Sequence, residues 1–235
     1  MDEAWGRGSS IRKLKKLVPA TFRNKYRHLW RIWCQYTQMR TAQIVQSFRE
    51  PDLPTNQNNK VNLHLGCGNI NHPEFINIDV LPLPHIHYVR RIDNLKIFKT
   101  ETVDLVYACH CLEHFPASST QRVLQEWCRV LKLGGVLRVS VPDFDLLLRI
   151  YEKTQNNIDN ILGPLMGGQG NKFDCHFNVF NEEKLRREFE IAGFGSVSHW
   201  EPDSTNLTTF DDWSGRACMF KGKNYLISLN MEAIK

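Results

Sequence analysis

Residues 61–79 read VNLHLGCGNINHPEFINID, and this stretch decides the fold of the chain. The apolar run Val61–Leu65 predicts a first strand, and the run that ends at Asp79 predicts a second strand. Gly66 and Gly68 lie between the two runs, and a glycine lets the backbone approach a ligand closely because it has no side chain. A carboxylate at the end of the second strand can accept hydrogen bonds from ribose hydroxyls. The stretch therefore predicts a site for a nucleoside-bearing cofactor.

The spacing within this stretch excludes two familiar phosphate-binding motifs. A dinucleotide fingerprint requires a third glycine and an acid about 20 residues further on. Here Asn71 stands at the position of the third glycine, and Asp79 comes only eleven residues after Gly68. Residues 69–74 are too few for a crossover helix, which disfavours a pyrophosphate bound at a helix N-terminus. A P-loop is excluded because the chain contains no Gly-Lys-Ser/Thr sequence.

Strand-like runs alternate with helical patterns along the rest of the chain. The predicted strands are Val61–Leu65, Phe75–Asp79, Ile86–Val89, Val103–Cys109, Val136–Val141, Ser196–Trp200 and Tyr225–Ala233. One predicted helix begins with Ser118 as its N-cap and stops at Gly134-Gly135, a second begins at Asp143, and a third runs from Asn181 to Gly193. The alternation predicts an α/β fold, with a doubly wound, mostly parallel seven-stranded sheet and an N-terminal helical appendage.

The first 59 residues differ in charge from residues 60–235, and we predict that they form a separate basic segment and linker. Residues 1–50 contain eleven Lys or Arg and three Asp or Glu, a net charge of +8, whereas the remaining residues carry −3. Apolar residues between positions 11 and 48 recur at spacings of three and four, which predicts amphipathic helices. The main interpretation is a helical lid packed on the domain. A membrane-surface helix and a nucleic-acid-binding arm are the alternatives.

Composition excludes several classes of protein. No apolar run of about 18 residues exists, so no membrane span is expected, and the first residues lack the apolar core of a signal peptide. Seven cysteines without CxxC spacing indicate reduced thiols and predict a cytoplasmic location. Cys109-His110-Cys111 lacks the ligand spacing of zinc fingers, so no metal is expected.

Further landmarks follow the glycine turn. Asp93 comes after the third predicted strand, VDLVYACHCLEHF (103–115) forms the fourth strand with its loop, and EWCRVLKLGGVLRVSVPD (126–143) leads through the fifth. In this order, the landmarks resemble class I S-adenosylmethionine-dependent methyltransferases, particularly the small type 11 kind found among bacterial glycan-modifying enzymes. The resemblance covers about residues 60–200. It implies a Rossmann-like methyltransferase fold.

The resemblance also implies S-adenosyl-L-methionine as the cofactor. Asp93 would read the adenine amino group. Two positions depart from the family pattern, because His64 replaces the usual acid before the first glycine and Ile70 replaces the usual third glycine. The implied cofactor contacts are Gly66, Cys67, Gly68, Asp79, Asp93 and His110.

The acceptor predicted for the methyl group is a hydroxyl. The loop after the fourth strand lacks the Asn/Asp-Pro-Pro-aromatic motif of base amino methylation and the paired glutamates of arginine methylation. We therefore expect a small-molecule or glycan substrate, with O-methylation of a sugar in a surface glycan or its precursor. Nucleic acid is not the expected partner, and the basic N-terminal segment would provide any peripheral membrane contact. An RNA or small-molecule methyltransferase and a non-catalytic binding module are the alternatives.

A general base would accelerate methylation of a hydroxyl by about 10²–10⁴-fold. The predicted catalytic candidates are His110 after the fourth strand, Asp143 after the fifth, and His176 further along the chain. Asp143 has a helix-capping alternative. Glu113 could contact the cofactor or cap the loop, and His114 is interpreted mainly as a structural residue.

Two later segments are candidates for substrate binding. The long, glycine-rich stretch 156–180 has the character of a substrate-binding lid. Asp211, Asp212 and Trp213 combine carboxylates with an aromatic ring, which suits a carbohydrate but is equally typical of an ordinary loop.

Overall fold

The computed structural model describes residues 19–20, 25–48, 51–54, 56, 59–170, 173–208, 210–220 and 222–235. The chain divides into two compact units, Met1–Glu50 and Pro51–Lys235. The first unit contains helix α1 (Arg27–Phe48), in which the Trp30 and Trp33 rings lie 5.1 Å apart. The helical predictions on residues 11–18 and 21–24 lie outside the described residues. None of the described helices combines the length and the apolar character needed to cross a membrane.

The second unit is built on a seven-stranded sheet with the strand order β3-β2-β1-β4-β5-β9-β6. Strands β1 to β5 are parallel to one another, whereas β9 is antiparallel to both β5 and β6. This confirms the predicted doubly wound, mostly parallel sheet. The strands are β1 (Asn62–Leu65), β2 (Ile76–Asp79), β3 (Tyr88–Val89), β4 (Val103–Cys109), β5 (Leu131–Pro142), β6 (Ser196–His199) and β9 (Ser228–Ile234).

Helices pack on the sheet through apolar residues at helical spacing. Helix α2 buries Val123, Leu124 and Trp127 completely, and α5 buries Leu185 and Phe189 in the same core. At about 1.5–3 kcal/mol for each large apolar side chain, this burial holds the helices on the sheet. The helices of the second unit are α2 (Ala117–Val130), α3 (Phe144–Lys153), α4 (Asp159–Met166) and α5 (Glu182–Ala192).

The boundaries of α2 differ from the prediction. Pro116, not Ser118, occupies the N-cap position, and no side chain caps this end. Gln121, the expected capping-box partner, donates instead to the Glu188 backbone carbonyl at 3.1 Å. The helix ends at Val130, because the next residue is already extended. Gly134-Gly135 consequently lie inside β5 and do not stop the helix.

The ends of α5 agree with the prediction, whereas the last strand does not. The Asn181 side chain accepts a hydrogen bond from Lys184 N at 3.1 Å, and Gly193 closes the helix at φ 104°. The predicted strand Tyr225–Ala233 is split between two sheets. Strand β8 (Lys223–Leu226) pairs with β7 (Ala217–Phe220) in a hairpin that sequence reasoning did not predict, and β9 begins after it.

The carboxyl ends of the parallel strands meet at one edge of the sheet. The strand order reverses on either side of β1, between β2 and β4. Open α/β sheets bind ligands at such a reversal, outside the carboxyl ends of the strands. Gly66, Asp79, His110 and Asp143 all stand at this edge.

Candidate functional site

The turn after β1 contains two glycines in the left-handed region, Gly66 at φ 65° and Gly68 at φ 54°. They are required for different reasons. A Cβ atom on Gly66 would overlap the Cys111 Sγ, whereas a Cβ atom on Gly68 would meet nothing within 4 Å. Gly66 therefore allows close packing beneath the turn, and Gly68 leaves open space for a ligand.

Asp79 holds this turn in place. Its Oδ2 accepts from Gly68 N at 2.9 Å, and its Oδ1 accepts from Leu81 N at 2.8 Å. The carboxyl is buried, which raises its pKa, although the backbone N–H groups act in the opposite direction. Each oxygen keeps a further acceptor position. The carboxylate can thus position the turn and still accept hydrogen bonds from a ribose.

A cavity of about 580 Å³ opens beside the turn. This volume lies within the usual range for small-molecule sites. The cavity is lined by the two glycines, the end of β2, Arg91-Ile92, residues of the 173–177 segment, and five residues of the loop after β4 (His110, Cys111, His114, Phe115 and Pro116). It has room for a nucleoside cofactor together with part of an acceptor.

Asp93 contacts two arginines. Arg91 donates from Nε and Nη2 to the two carboxylate oxygens at 2.9 and 2.8 Å, and Arg122 donates at 3.2 Å. Burial alone would raise the pKa of Asp93, but the two guanidinium groups outweigh it and the pKa is lowered. Arg91 and Ile92 form the cavity wall at this point. Asp93 therefore positions Arg91, and its predicted contact with adenine stays a prediction.

Cys67 is buried within the turn. Burial raises the pKa of its thiol, with the Asp79 charge acting in the same direction. Its backbone carbonyl accepts from Ile70 N at 2.9 Å. The thiol thus stays neutral, and the predicted cofactor contact at this position stays a prediction.

His110 lines the cavity, and its hydrogen bonds define its tautomer. Ser228 Oγ donates to Trp213 O at 2.6 Å, so it accepts from His110 Nε2 at 2.8 Å. The Nδ1 atom therefore carries the lone pair, and it lies 3.3 Å from Glu113 Oε1. Burial lowers the pKa of the imidazole to about 3, which keeps the ring neutral.

The other two predicted catalytic residues have structural contacts. Asp143 is the N-cap of α3 and accepts from Asp145 N at 3.0 Å and Leu146 N at 3.4 Å. His176 Nδ1 contacts Pro164 O at 3.0 Å, and burial lowers the pKa of His176 to about 4. The structure brings His176 close to the loop after β4 and leaves Asp143 in a capping role.

Sequence reasoning gave little weight to two residues of that loop. His114 lines the cavity, and its Nδ1 contacts Cys175 O at 3.0 Å. Glu113 is 1% exposed, and burial raises its pKa to about 8. The spacing His110-x-x-Glu113-His114 at a strand end is the sequence signal that could have identified them.

The stretch predicted as a lid contains α4 and a segment that reaches the cavity. Phe173, Asp174 and Phe177 line the cavity. Asp174 organises the preceding glycines, since its carboxylate accepts from Gly168 N at 3.3 Å and Gly170 N at 3.2 Å. This stretch therefore forms part of the site wall.

The Asp211–Trp213 loop is mainly structural. Asp212 is buried and accepts from the Tyr107 hydroxyl at 2.6 Å, which anchors the loop to β4. Asp211 pairs with Arg216 at the surface. Trp213 lies beside the site, with its ring centroid 6.1 Å from that of His110.

Comparison with known proteins found a family that matches part of the second unit. The sequence profile of a family described as methyltransferase domain matches residues 74–139, from the start of β2 into β5. No curated protein matches the chain.

Several solved structures are similar to this chain. A methyltransferase from Thermotoga maritima, described as a possible histamine N-methyltransferase, is 16% identical, with 92% of this chain and 96% of that one covered and a TM-score of 0.46. A methyltransferase from Archaeoglobus fulgidus is 14% identical, with 92% and 98% covered and a TM-score of 0.47. The 1,6-didemethyltoxoflavin-N1-methyltransferase of Burkholderia thailandensis, solved with bound S-adenosylhomocysteine, is 15% identical, with 92% and 86% covered and a TM-score of 0.46.

The second unit has a Rossmann-like methyltransferase fold. The matched stretch is described as a methyltransferase domain, and S-adenosylmethionine is the cofactor expected from the sequence. The residues present fit this cofactor, because Gly68 leaves open space and Asp79 retains acceptor positions for the ribose.

Proposed function

We propose that this protein is an S-adenosylmethionine-dependent O-methyltransferase that acts on a sugar hydroxyl of a surface glycan or its precursor. One observation carries the proposal. The glycine turn and Asp79 line the same cavity as the imidazoles of His110 and His114. Cofactor-binding groups and groups that can accept a proton from a hydroxyl therefore share one space.

The chain contributes alignment and a proton acceptor. When bound, S-adenosylmethionine supplies an electrophilic methyl group. Alignment of two reactants in one site can contribute about 7–11 kcal/mol to lowering the barrier. A hydroxyl is a weak nucleophile, so removal of its proton assists the transfer, and the imidazole of His110 or His114 takes that proton up.

The cavity wall formed by the 173–177 segment supports a sugar as the acceptor. Asp174 provides a carboxylate for hydroxyl groups, and the Phe177 ring is 57% exposed and can cover an apolar sugar face. None of the seven cysteines, all of which the structure describes, forms a disulfide, which supports a reducing compartment such as the cytoplasm. Membrane contact by the basic N-terminal segment stays a prediction.

The test of cofactor binding uses calorimetry with S-adenosylhomocysteine. We expect Gly68→Val to abolish binding, because the branched side chain enters the open space beside the turn. Gly222→Val is the matched control, since Gly222 also has a left-handed φ and no neighbour within 4 Å but lies in the β7–β8 hairpin. Equal affinities for the two variants would exclude this turn as the cofactor site.

The test of the acceptor is a methyl-transfer screen against nucleotide sugars, glycan extracts and RNA, read by mass spectrometry. A methylated sugar hydroxyl is the expected product. In the same assay, His110→Ala should lower turnover by about 10²-fold or more while the affinity for S-adenosylhomocysteine is retained. Transfer to RNA or to an amine would contradict the proposed acceptor class.

A further inference from the structure

Glu113 is buried without the partners that such a group requires. The residue is 1% exposed, and neither of its carboxylate oxygens accepts a hydrogen bond from any residue that the structure describes. Buried carboxylates are normally paired with a cation or coordinate a metal. Two imidazoles lie near the Glu113 Oε1 atom, with His110 Nδ1 at 3.3 Å and His176 Nε2 at 3.9 Å.

The imidazoles around Glu113 are oriented by outer hydrogen bonds. His114 Nδ1 lies 3.0 Å from Cys175 O, and His176 Nδ1 lies 3.0 Å from Pro164 O. A carbonyl can only accept, so each Nδ1 carries a hydrogen, which leaves Nε2 as the ring atom that can bind a metal. Metal-ligating histidines show this arrangement, in which the second ring nitrogen donates to a backbone carbonyl or carboxylate.

The two parts of the cluster are held together by the backbone. Glu113 and His114 belong to a single 3₁₀ turn after β4. Phe177 N and Asn178 N donate to the Glu113 carbonyl at 2.9 and 3.2 Å, which joins that turn to the segment of His176. The cluster is therefore a built site and not a chance meeting of mobile side chains.

We propose that Glu113, His114 and His176 bind one divalent transition-metal ion. One ligand atom from each residue lies within 4.8 Å of the others. In a tetrahedral site with bonds of about 2.1 Å, the ligand atoms lie about 3.4 Å apart, so the three side chains must move closer by about 1.4 Å at the widest pair to complete the site. This differs from the sequence analysis, which expected no metal from the Cys109–Cys111 run.

The ligand set indicates the class of ion. Two imidazoles and one carboxylate suit Zn²⁺, Fe²⁺, Co²⁺ or Ni²⁺ better than Mg²⁺ or Ca²⁺, which prefer oxygen ligands. Three protein ligands leave at least one coordination position for water or substrate.

A role in methyl transfer rests on the proposed function. His114 lines the cavity, so a hydroxyl of the acceptor can reach the open position on the ion. A metal ion lowers the pKa of a bound hydroxyl group. With the ion present, His114 is a ligand, and His110 is the imidazole that takes up the proton.

The experiment measures metal binding directly. The full chain is freed of metal with a chelator and titrated with Co²⁺, and the visible absorption of the ion is recorded. We expect one Co²⁺ per chain, released by competing Zn²⁺. Substitution of groups that only orient metal ligands costs about 10–100-fold in affinity. Loss of a direct ligand in Glu113→Gln or His176→Ala should therefore cost more than about 100-fold.

Two controls make the outcome decisive. His199→Ala removes a half-exposed histidine that pairs with Glu182 on another part of the domain, and it should bind Co²⁺ like the wild type. Glu113→Gln keeps the side-chain shape and removes only the charge, so the metal-free variant should melt no lower than the metal-free wild type.

The proposal is overturned if the wild type binds no Co²⁺, or if Glu113→Gln and His176→Ala bind it with unchanged affinity. It is also overturned by a strong thiolate-to-cobalt absorption band, which would place the ion on cysteines. Calorimetry with S-adenosylhomocysteine on the metal-free protein is run separately. Failure of that binding alone would reject the proposed function and leave the metal site standing.

Discussion

The two glycines after β1 give a prediction whose magnitude can be worked out from the structure. Both have a left-handed φ, so Ala at either position carries the same conformational cost of about 1–2 kcal/mol. Only at Gly66 would the added Cβ also overlap the Cys111 Sγ. Overpacking of this kind costs about 1–3 kcal/mol. Gly66→Ala should therefore lower the free energy of unfolding by about 2–5 kcal/mol, and Gly68→Ala by about 1–2 kcal/mol.

The assay is urea unfolding of the two glycine variants, of Cys111→Ala alone, and of Gly66→Ala combined with Cys111→Ala. In the Cys111→Ala background the overlap disappears, so Gly66→Ala should cost only about as much as Gly68→Ala. The cycle subtracts the effect of Cys111→Ala itself and isolates the interaction between the two positions. If Gly66→Ala and Gly68→Ala destabilise the wild type equally, the close packing of the turn on Cys111 is refuted.

Two further predictions concern the carboxylates at the carboxyl edge of the sheet. The pKa of Asp93 is lowered in the folded protein because Arg91 and Arg122 outweigh burial. The ionised Asp93 therefore stabilises the fold at pH values above its unfolded pKa of about 3.9, and this stabilisation is lost as the pH falls through the folded pKa. Asp93→Asn removes this stabilisation, so the urea midpoint of the variant should fall less than that of the wild type as the pH is lowered. If the two proteins show the same pH dependence, the arginine contacts are contradicted. Asp143→Ala should destabilise the domain by about 1 kcal/mol through loss of the α3 cap, with turnover nearly unchanged. A loss of turnover of about 10²-fold would return Asp143 to its predicted role as a base.

Local sequence determined the features whose causes are local. Asn181 and Gly193 bound α5 because a side-chain oxygen at the N-cap and a left-handed glycine at the end act within a single turn. The doubly wound sheet was predicted from a local pattern too. The spacing of apolar residues along each segment shows whether it is a strand or a helix and which of its faces is buried. The glycine turn and Asp79 could be placed at the same edge because parallel strands carry their carboxyl ends to one side.

Tertiary contacts decided the features that sequence reasoning missed. The hairpin β7–β8 was not predicted, and Ser118 was wrongly taken as the N-cap because the cap position of α2 lies two residues earlier, at Pro116. The arginine contacts of Asp93 were not predicted, because nothing in the sequence shows that Arg122 donates to it from helix α2.

The same division applies to the site. The sequence placed the glycine turn and Asp79 at adjacent strand ends, and their role in binding a nucleoside cofactor stays a prediction. Only the tertiary structure joins Glu113 and His114 to His176, which lies about sixty residues further along the chain. The physical reason is that the cluster depends on backbone hydrogen bonds between the loop after β4 and the 173–178 segment, and such long-range pairing leaves no periodic trace in the sequence.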